Sequence, residues 1–199
     1  MMSNTNNKGT YVVLTGIGSY MNIFEPRAFG SNEPKYSLCL LINKNDKKQL
    51  DRLNKAIEAA KEIAREKVWH GKIPPEARLS LPIHDGDIDR ETDEYKGKYY
   101  INVSNKMKPG VVDQSVNPIL DTEQIYSGCI VNVSMNLFGY NQNGNVGISA
   151  SLQNVQLVAD GERLAGKKPA SADFSAVTED DLAEIDQYLK GAELPDYFN

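Results

Sequence analysis

A mainly β chain with one long α-helix and an acidic C-terminal tail is what the sequence predicts, and three observations carry it. Apolar and polar residues alternate in short runs over 35–43, 98–104 and 128–140. One segment alone, 46–68, repeats its apolar residues at three- and four-residue steps. Residues 171–199 hold eight acids against the single base Lys190. Several strands with one helix fit a small, strongly curved barrel or sandwich. The reading divides the chain into a polar, disordered start (1–9), a binding domain (10–170) and a flexible acidic tail (171–199).

The elements follow in order. Residues 10–20, TYVVLTGIGSY, are rich in β-branched and aromatic types and read as a strand. Residues 22–35 hold two prolines, a glycine and two phenylalanines, and read as an aromatic loop. In 35–43, Tyr36, Leu38, Leu40 and Ile42 share the core face, which leaves Cys39 and Leu41 on the less buried side. The helix over 46–68 presents Leu50, Leu53, Ile57, Ala60, Ala64 and Val68 as one stripe, with Asn45 as its cap. It breaks at His70-Gly71 and Pro74-Pro75, and 71–97 reads as a long loop. In Lys98–Ser104 the residues Tyr100, Asn102 and Ser104 take the polar face. In Gly128–Tyr140, Cys129, Val131, Val133, Met135 and Leu137 face the core, and Phe138 and Tyr140 join Asn132, Ser134 and Asn136 opposite. Asn143-Gly144 signals a hairpin turn. The returning strand places Val146, Ile148, Ala150 and Leu152 inward, then slips phase at Gln153-Asn154, which predicts a β-bulge. After Gly161 comes a linker, and Leu182, Ile185 and Leu189 suit a short amphipathic turn or two.

The longest apolar run, Leu38–Ile42, is far too short for a membrane helix. The N-terminus lacks a cationic-then-apolar secretory pattern, so a cytoplasmic protein with no membrane partner is expected. Cys39 and Cys129 read as buried free thiols in a reducing compartment. The net charge of −5 conceals an asymmetry. The tail is −7 and the body +2, and the decapeptide DGDIDRETDE (85–94) contributes −5 to that body. A basic surface beside an acidic appendage is the pattern expected of a nucleic-acid binder.

The candidate surface centres on 95–112, YKGKYYINVSNKMKPGVV, with four lysines, three tyrosines and no acid. Single-stranded nucleic acid needs cations for its phosphates and aromatic faces for its bases. The candidate residues are Lys98, Tyr100, Lys106 and Lys108 here, Phe138 and Tyr140 on the hairpin, and Phe24, Arg27, Phe29 and Lys35 in and after the aromatic loop. The tail residues Asp180, Asp181, Asp196, Tyr197 and Phe198 can imitate a nucleic-acid strand and act as an internal competitor, or dock on a partner. Rival readings are a metal-dependent nuclease using Asp85, Asp87, Asp89 and Asp93, a strand-annealing or RNA-binding protein, and a virion assembly protein. A calcium loop fails, because Arg90 and Lys96 stand where glycine and glutamate are needed. The two histidines lack metal-ligand spacing, no nucleophile elbow or phosphate loop is present, and the reading calls for no cofactor, metal or enzymatic activity.

The runs NIFEPRAFG…KYSLCLLINKND, LPIHDGD, YYINVSNKMKPGVVD and IYSGCIVNVSMNLFGYNQNGNVGISASLQNVQLVADGERLAG resemble the OB-fold single-stranded-DNA-binding proteins of tailed phages and prophages, over residues 10–175. The resemblance implies an OB-like barrel, non-enzymatic binding of single-stranded DNA in phage replication, recombination or repair, and a place in the bacterial host cytoplasm. The tail looks like those of replication single-strand binders that contact polymerase or helicase and restrain DNA binding. Oligomeric state stays open, a homodimer included. One departure stands out. An OB barrel ordinarily carries its helix between the third and fourth strands, and only two strands precede it here. Either the first strand bends at Gly16 or Gly18 and serves twice, or the helix is inserted elsewhere.

Overall fold

A computed structural model of the chain describes residues 9–28, 30, 33–164 and 174–183. The chain divides into two units, 1–165 and 166–199. In the first, five strands form the barrel: β1 (Tyr11–Arg27), β2 (Lys35–Asn43), then β5 (Lys98–Asn105), β7 (Ile130–Gln142) and β8 (Asn145–Ala159). Between β2 and β5 lie α1 (Lys47–Lys67), the short strands β3 (Leu79–Ser80) and β4 (Ile83–Asp85) and the single turn α2 (Gly86–Asp89). Strand β6 (Gly110–Val112) follows β5 and runs parallel to β8.

The sheet order β8-β7-β1-β2-β5 closes on itself where Ser104 of β5 meets Ser151 of β8 in parallel. The Asn105 side-chain amide reinforces that seam by donating to the Leu152 carbonyl at 2.8 Å. Both halves of the topological question resolve. β1 does serve twice, pairing with β7 through Ile17 and with β2 from Ile17 onward. The helix does sit elsewhere, between the second and third barrel strands rather than the third and fourth.

The core is what the alternation predicts for β7 and β8. Cys129, Val131, Val133, Met135 and Leu137 are buried, as are Ile148, Ala150 and Leu152. The hairpin turns at Asn143 and Gly144, both with positive φ (51° and 84°), so two residues link Gln142 to its partner Asn145. Ser134 pairs with Asn154 and Met135 with Leu152, which leaves Gln153 as the extra residue of a bulge. That bulge returns Val155 to the core, and Asn154 then accepts the Gly110 N–H at 3.0 Å.

Four expectations need correction. Residues 22–27 are not loop but the end of β1. Their pairing with β2 is irregular, with only Asn22↔Ser37 and Arg27↔Lys35 in register, so Pro26 interrupts no continuous ladder. The segment 71–97 is not plain loop, since β3, β4 and α2 lie in it. Cys39 and Leu41 are buried, not exposed, because Tyr95 and Tyr100 cover them in a second apolar cluster on the outer side of β2. The helix cap is Asp46, not Asn45: its carboxylate accepts from the Gln49 N–H at 3.2 Å.

Gln49 explains how α1 is seated. Where β1 pairs with β7, its other edge has no strand beside it until Ile17. The buried Gln49 amide occupies that edge, donating to the Thr15 carbonyl at 2.8 Å and accepting from the Thr15 N–H at 2.5 Å. One side chain thus replaces one residue of strand. Gln49→Leu is expected to destabilise the fold by about 2 kcal/mol, because two backbone groups lose their partner at once. Urea unfolding checks this, and an unchanged midpoint would show that water replaces the amide.

In the second unit, residues 179–183 form a helical turn. The Thr178 N–H and hydroxyl both donate to Asp181 at 2.7 Å, and the Asp181 N–H donates back to Thr178 at 3.3 Å. This reciprocal cap holds the Asp181 carboxyl below the usual range. Ile185 and Leu189 of the expected amphipathic turns lie outside the described residues.

Candidate nucleic-acid interface

Three neighbouring strands build a groove of about 670 Å³ on the outside of the barrel. Its floor follows from register. Asn22, Ser37 and Ser104 form one row across β1, β2 and β5, and Cys39 and Asn102 line the next, whose third member, Ser19, is buried. Leu38 and Val103, between the rows, point into the core. The floor is therefore small and hydrogen-bonding, and it carries no charge. Burial pushes the Cys39 thiol up, so it stays protonated beside the Tyr95 hydroxyl at 3.7 Å.

The rim carries the charge. Arg27 and Lys35 lie directly opposite each other at the β1–β2 end, and both are exposed. Lys106 is ion-paired with Glu33, which also lines the groove and whose carboxyl Lys106 holds down. Tyr20 stands over the side, 62% exposed. Its placement has a mechanical cause. Ser19 pairs with Cys39 and Asn22 with Ser37, so Tyr20 and Met21 together oppose Leu38 in a bulge. Tyr20 takes φ 48°, a left-handed conformation uncommon outside glycine, and the bulge turns its ring outward. The ring also lines an adjoining depression containing Lys98 and Arg163. Arg90 and Tyr95 form the remaining wall.

The structure gathers some of the candidate residues and separates others. Arg27 and Lys35 belong to the groove, with Lys106 paired to its Glu33. Lys98 lies in the adjoining depression, where its ammonium donates to the Glu94 carbonyl at 2.9 Å. Lys108 is exposed beyond the end of β5. Phe24 is half-buried against the main core. Tyr100 is corrected outright: it is 5% exposed, stacked on His84 at 5.0 Å and edge-on to Tyr95 at 5.3 Å. The cause is β4, which pairs with β5 and lets the following residues cover that face. Phe138, 44% exposed, lines a different groove between α1 and the β7–β8 sheet, and Tyr140 is half-buried farther along β7, its carbonyl accepting from the Trp69 indole N–H at 3.1 Å. Asp180 and Asp181 lie in the helical turn of the second unit. Phe29, Asp196, Tyr197 and Phe198 lie outside the described residues. The sequence reading missed Tyr20, Asn22, Ser37 and Arg90. Tyr20 gave no signal beyond an aromatic at a strand end, and Arg90 is the lone cation of an acidic run.

The four nuclease carboxylates do not gather at one site: only Asp85 and Asp87 meet, and they meet on a lysine. Asp85 and Asp87 both accept from Lys44, the latter at 2.7 Å. Asp89 accepts from the Tyr100 hydroxyl at 3.4 Å, and Asp93 pairs with Lys96 at 2.5 Å. Among the described residues, no three His, Cys, Asp or Glu side chains are grouped to hold a metal ion, and no helix is long and apolar enough to cross a membrane.

Comparison with known proteins agrees with this geometry. The model of a family described as the single-stranded-DNA-binding protein of Enterobacter phage Enc34 matches residues 11–184. Protein p50 of Acyrthosiphon pisum secondary endosymbiont phage 1 is 32% identical over 177 residues, covering 82% of this chain and 93% of that protein. Among solved structures, the bacteriophage Enc34 protein in complex with single-stranded DNA superposes with a TM-score of 0.70 at 23% identity, over 79% of this chain and 91% of that one. A C-terminally truncated form of the Enc34 protein gives 0.64 at 25% identity, over 79% and 90%. The barrel, its extra strands and the long helix are thus an OB-like fold, and the chain belongs to the Enc34-type family of phage single-stranded-DNA-binding proteins.

Proposed function

We propose that this chain binds single-stranded DNA without sequence preference, as a non-enzymatic component of phage DNA replication, recombination or repair in the cytoplasm of the bacterial host. One observation carries the reading: an uncharged, hydrogen-bonding groove floor flanked by the opposed cations Arg27 and Lys35 and the outward ring of Tyr20. The groove lies across the second and third barrel strands, the face with which OB folds take oligonucleotides. In this reading Arg27 and Lys35 meet phosphates, and Lys106 joins them when a phosphate displaces Glu33. Tyr20 stacks a base, worth roughly 1–3 kcal/mol. Lys98 and Lys108 extend the cationic path, with Phe24 and Phe29 as further stacking rings. Phe138 and Tyr140 belong to a separate surface.

Fluorescence anisotropy with oligo-dT of several lengths tests this. Affinity is expected to fall with salt at a logarithmic slope of about −0.7 per phosphate contact, without preference among base compositions. Absence of binding at low salt would overturn it. The acidic tail, with Asp180, Asp181, Asp196, Tyr197 and Phe198, is proposed to compete for the groove and to recruit replication partners such as polymerase or helicase. Deleting 174–199 is then expected to tighten oligo-dT binding at low salt. An unchanged or weakened affinity counts against the competitor role.

A further inference from the structure

We infer that Arg90 is a phosphate ligand of the groove, and that the acidic segment 85–94 exists to deliver it; this rests on the DNA-binding reading above. By composition the segment should repel a polyanion, with six carboxylates around one guanidinium. Four of those carboxylates are engaged within the fold. Asp85 accepts from Lys44 and from the Asp87 N–H at 2.9 Å. Asp87 accepts from Lys44 and from the Gly97 N–H at 2.8 Å, and both contacts hold its carboxyl below the usual range. Asp89 is engaged by the Tyr100 hydroxyl and lies 3.8 Å from His84. Asp93 takes Lys96. Lys44 leads out of β2 and Gly97 leads into β5, so these contacts pin the segment to the two strands that floor the groove.

Arg90 has a different environment. It is exposed, lines the groove and forms no ion pair with a described residue. Tyr95 and Tyr100 meet edge to face at 85°, and the guanidinium sits in their corner, 5.5 Å and 5.2 Å from the two ring centres. Cation–π contact fixes its position while leaving its solvent side open. A guanidinium so placed has already lost most of its side-chain freedom, which lowers the cost of bidentate phosphate binding. Its ring partner Tyr95 touches Cys39, four residues along β2 from Lys35, or about 13 Å. Arg90 and the Arg27–Lys35 pair therefore mark two ends of one track.

The test compares wild type, Arg90→Gln and Arg90→Lys in oligo-dT titrations across a salt series, with thermal melting of each. Arg90→Gln is expected to bind about tenfold more weakly at low salt, with the slope reduced by about 0.7. Arg90→Lys is expected to keep the slope and recover part of the affinity. Wild-type affinity and slope in Arg90→Gln overturn the inference, and so does a weaker affinity with an unchanged slope. If Arg90→Gln melts early, Arg90→Lys decides, and a lysine variant no better than glutamine overturns it as well. Failure of the wild type to bind would instead remove the DNA-binding reading itself.

Discussion

Arg27→Gln combined with Lys35→Gln is expected to weaken oligo-dT binding about 100-fold at low salt and to flatten the salt slope by about 1.4. The two side chains are exposed and opposed across the β1–β2 pair. Each charge-assisted contact to a phosphate is worth about 1.5 kcal/mol, so two of them account for about two orders of magnitude. Lys55→Gln is the control, since Lys55 is exposed on α1 and absent from the groove, and it should weaken binding less than about threefold. Titrations between about 50 and 200 mM salt separate the cases. Equal losses in control and double variant would mean that diffuse charge, not this groove, holds the strand.

Gly139→Ala is expected to cost about 3 kcal/mol, more than a surface substitution to alanine normally does. A Cβ at this position would meet the Ala64 Cβ at 2.2 Å, where α1 lies against β7. Neither atom can rotate away, so the helix must move off the sheet. The same Cβ would come within 3.4 Å of the Trp69 ring. Trp69 is the only tryptophan of the chain, so its fluorescence reports the displacement directly. Adding Ala64→Gly should return part of the loss despite its own helix cost of about 1 kcal/mol. Urea denaturation of the four-member cycle measures the coupling. Additive losses would show that the cost of Gly139→Ala does not arise from contact with Ala64.

The fold was largely legible because its information is local. Alternation located β2, β5, β7 and β8, Asn143-Gly144 located the hairpin, and a phase slip located the Gln153 bulge. The site was less legible, and Phe138 shows why. Alternation tells whether a side chain points into or out of a barrel, but outward positions radiate in every direction. Phe138 and Ser37 both point outward, yet one borders α1 and the other floors the groove across β1, β2 and β5. Tyr100 failed for another reason: its outer face is covered by a segment whose own pattern is too short to read as strand. Tyr20 depends on a bulge that exists only once β2 is paired. Arg27 and Lys35 come together because they flank one connection between paired strands, which sets them opposite each other.

The double pairing of β1 bears on how the chain is made. Its second half finds β2 almost as soon as that strand leaves the ribosome, but its first half must wait for β7, more than a hundred residues later. At about 5–20 residues per second that delay lasts on the order of 5–20 s. Throughout it the nascent segment YVVLTGI offers a β-prone edge to any other chain nearby. Slower growth or lower temperature during expression should therefore change the soluble yield of this protein more than its final stability would suggest.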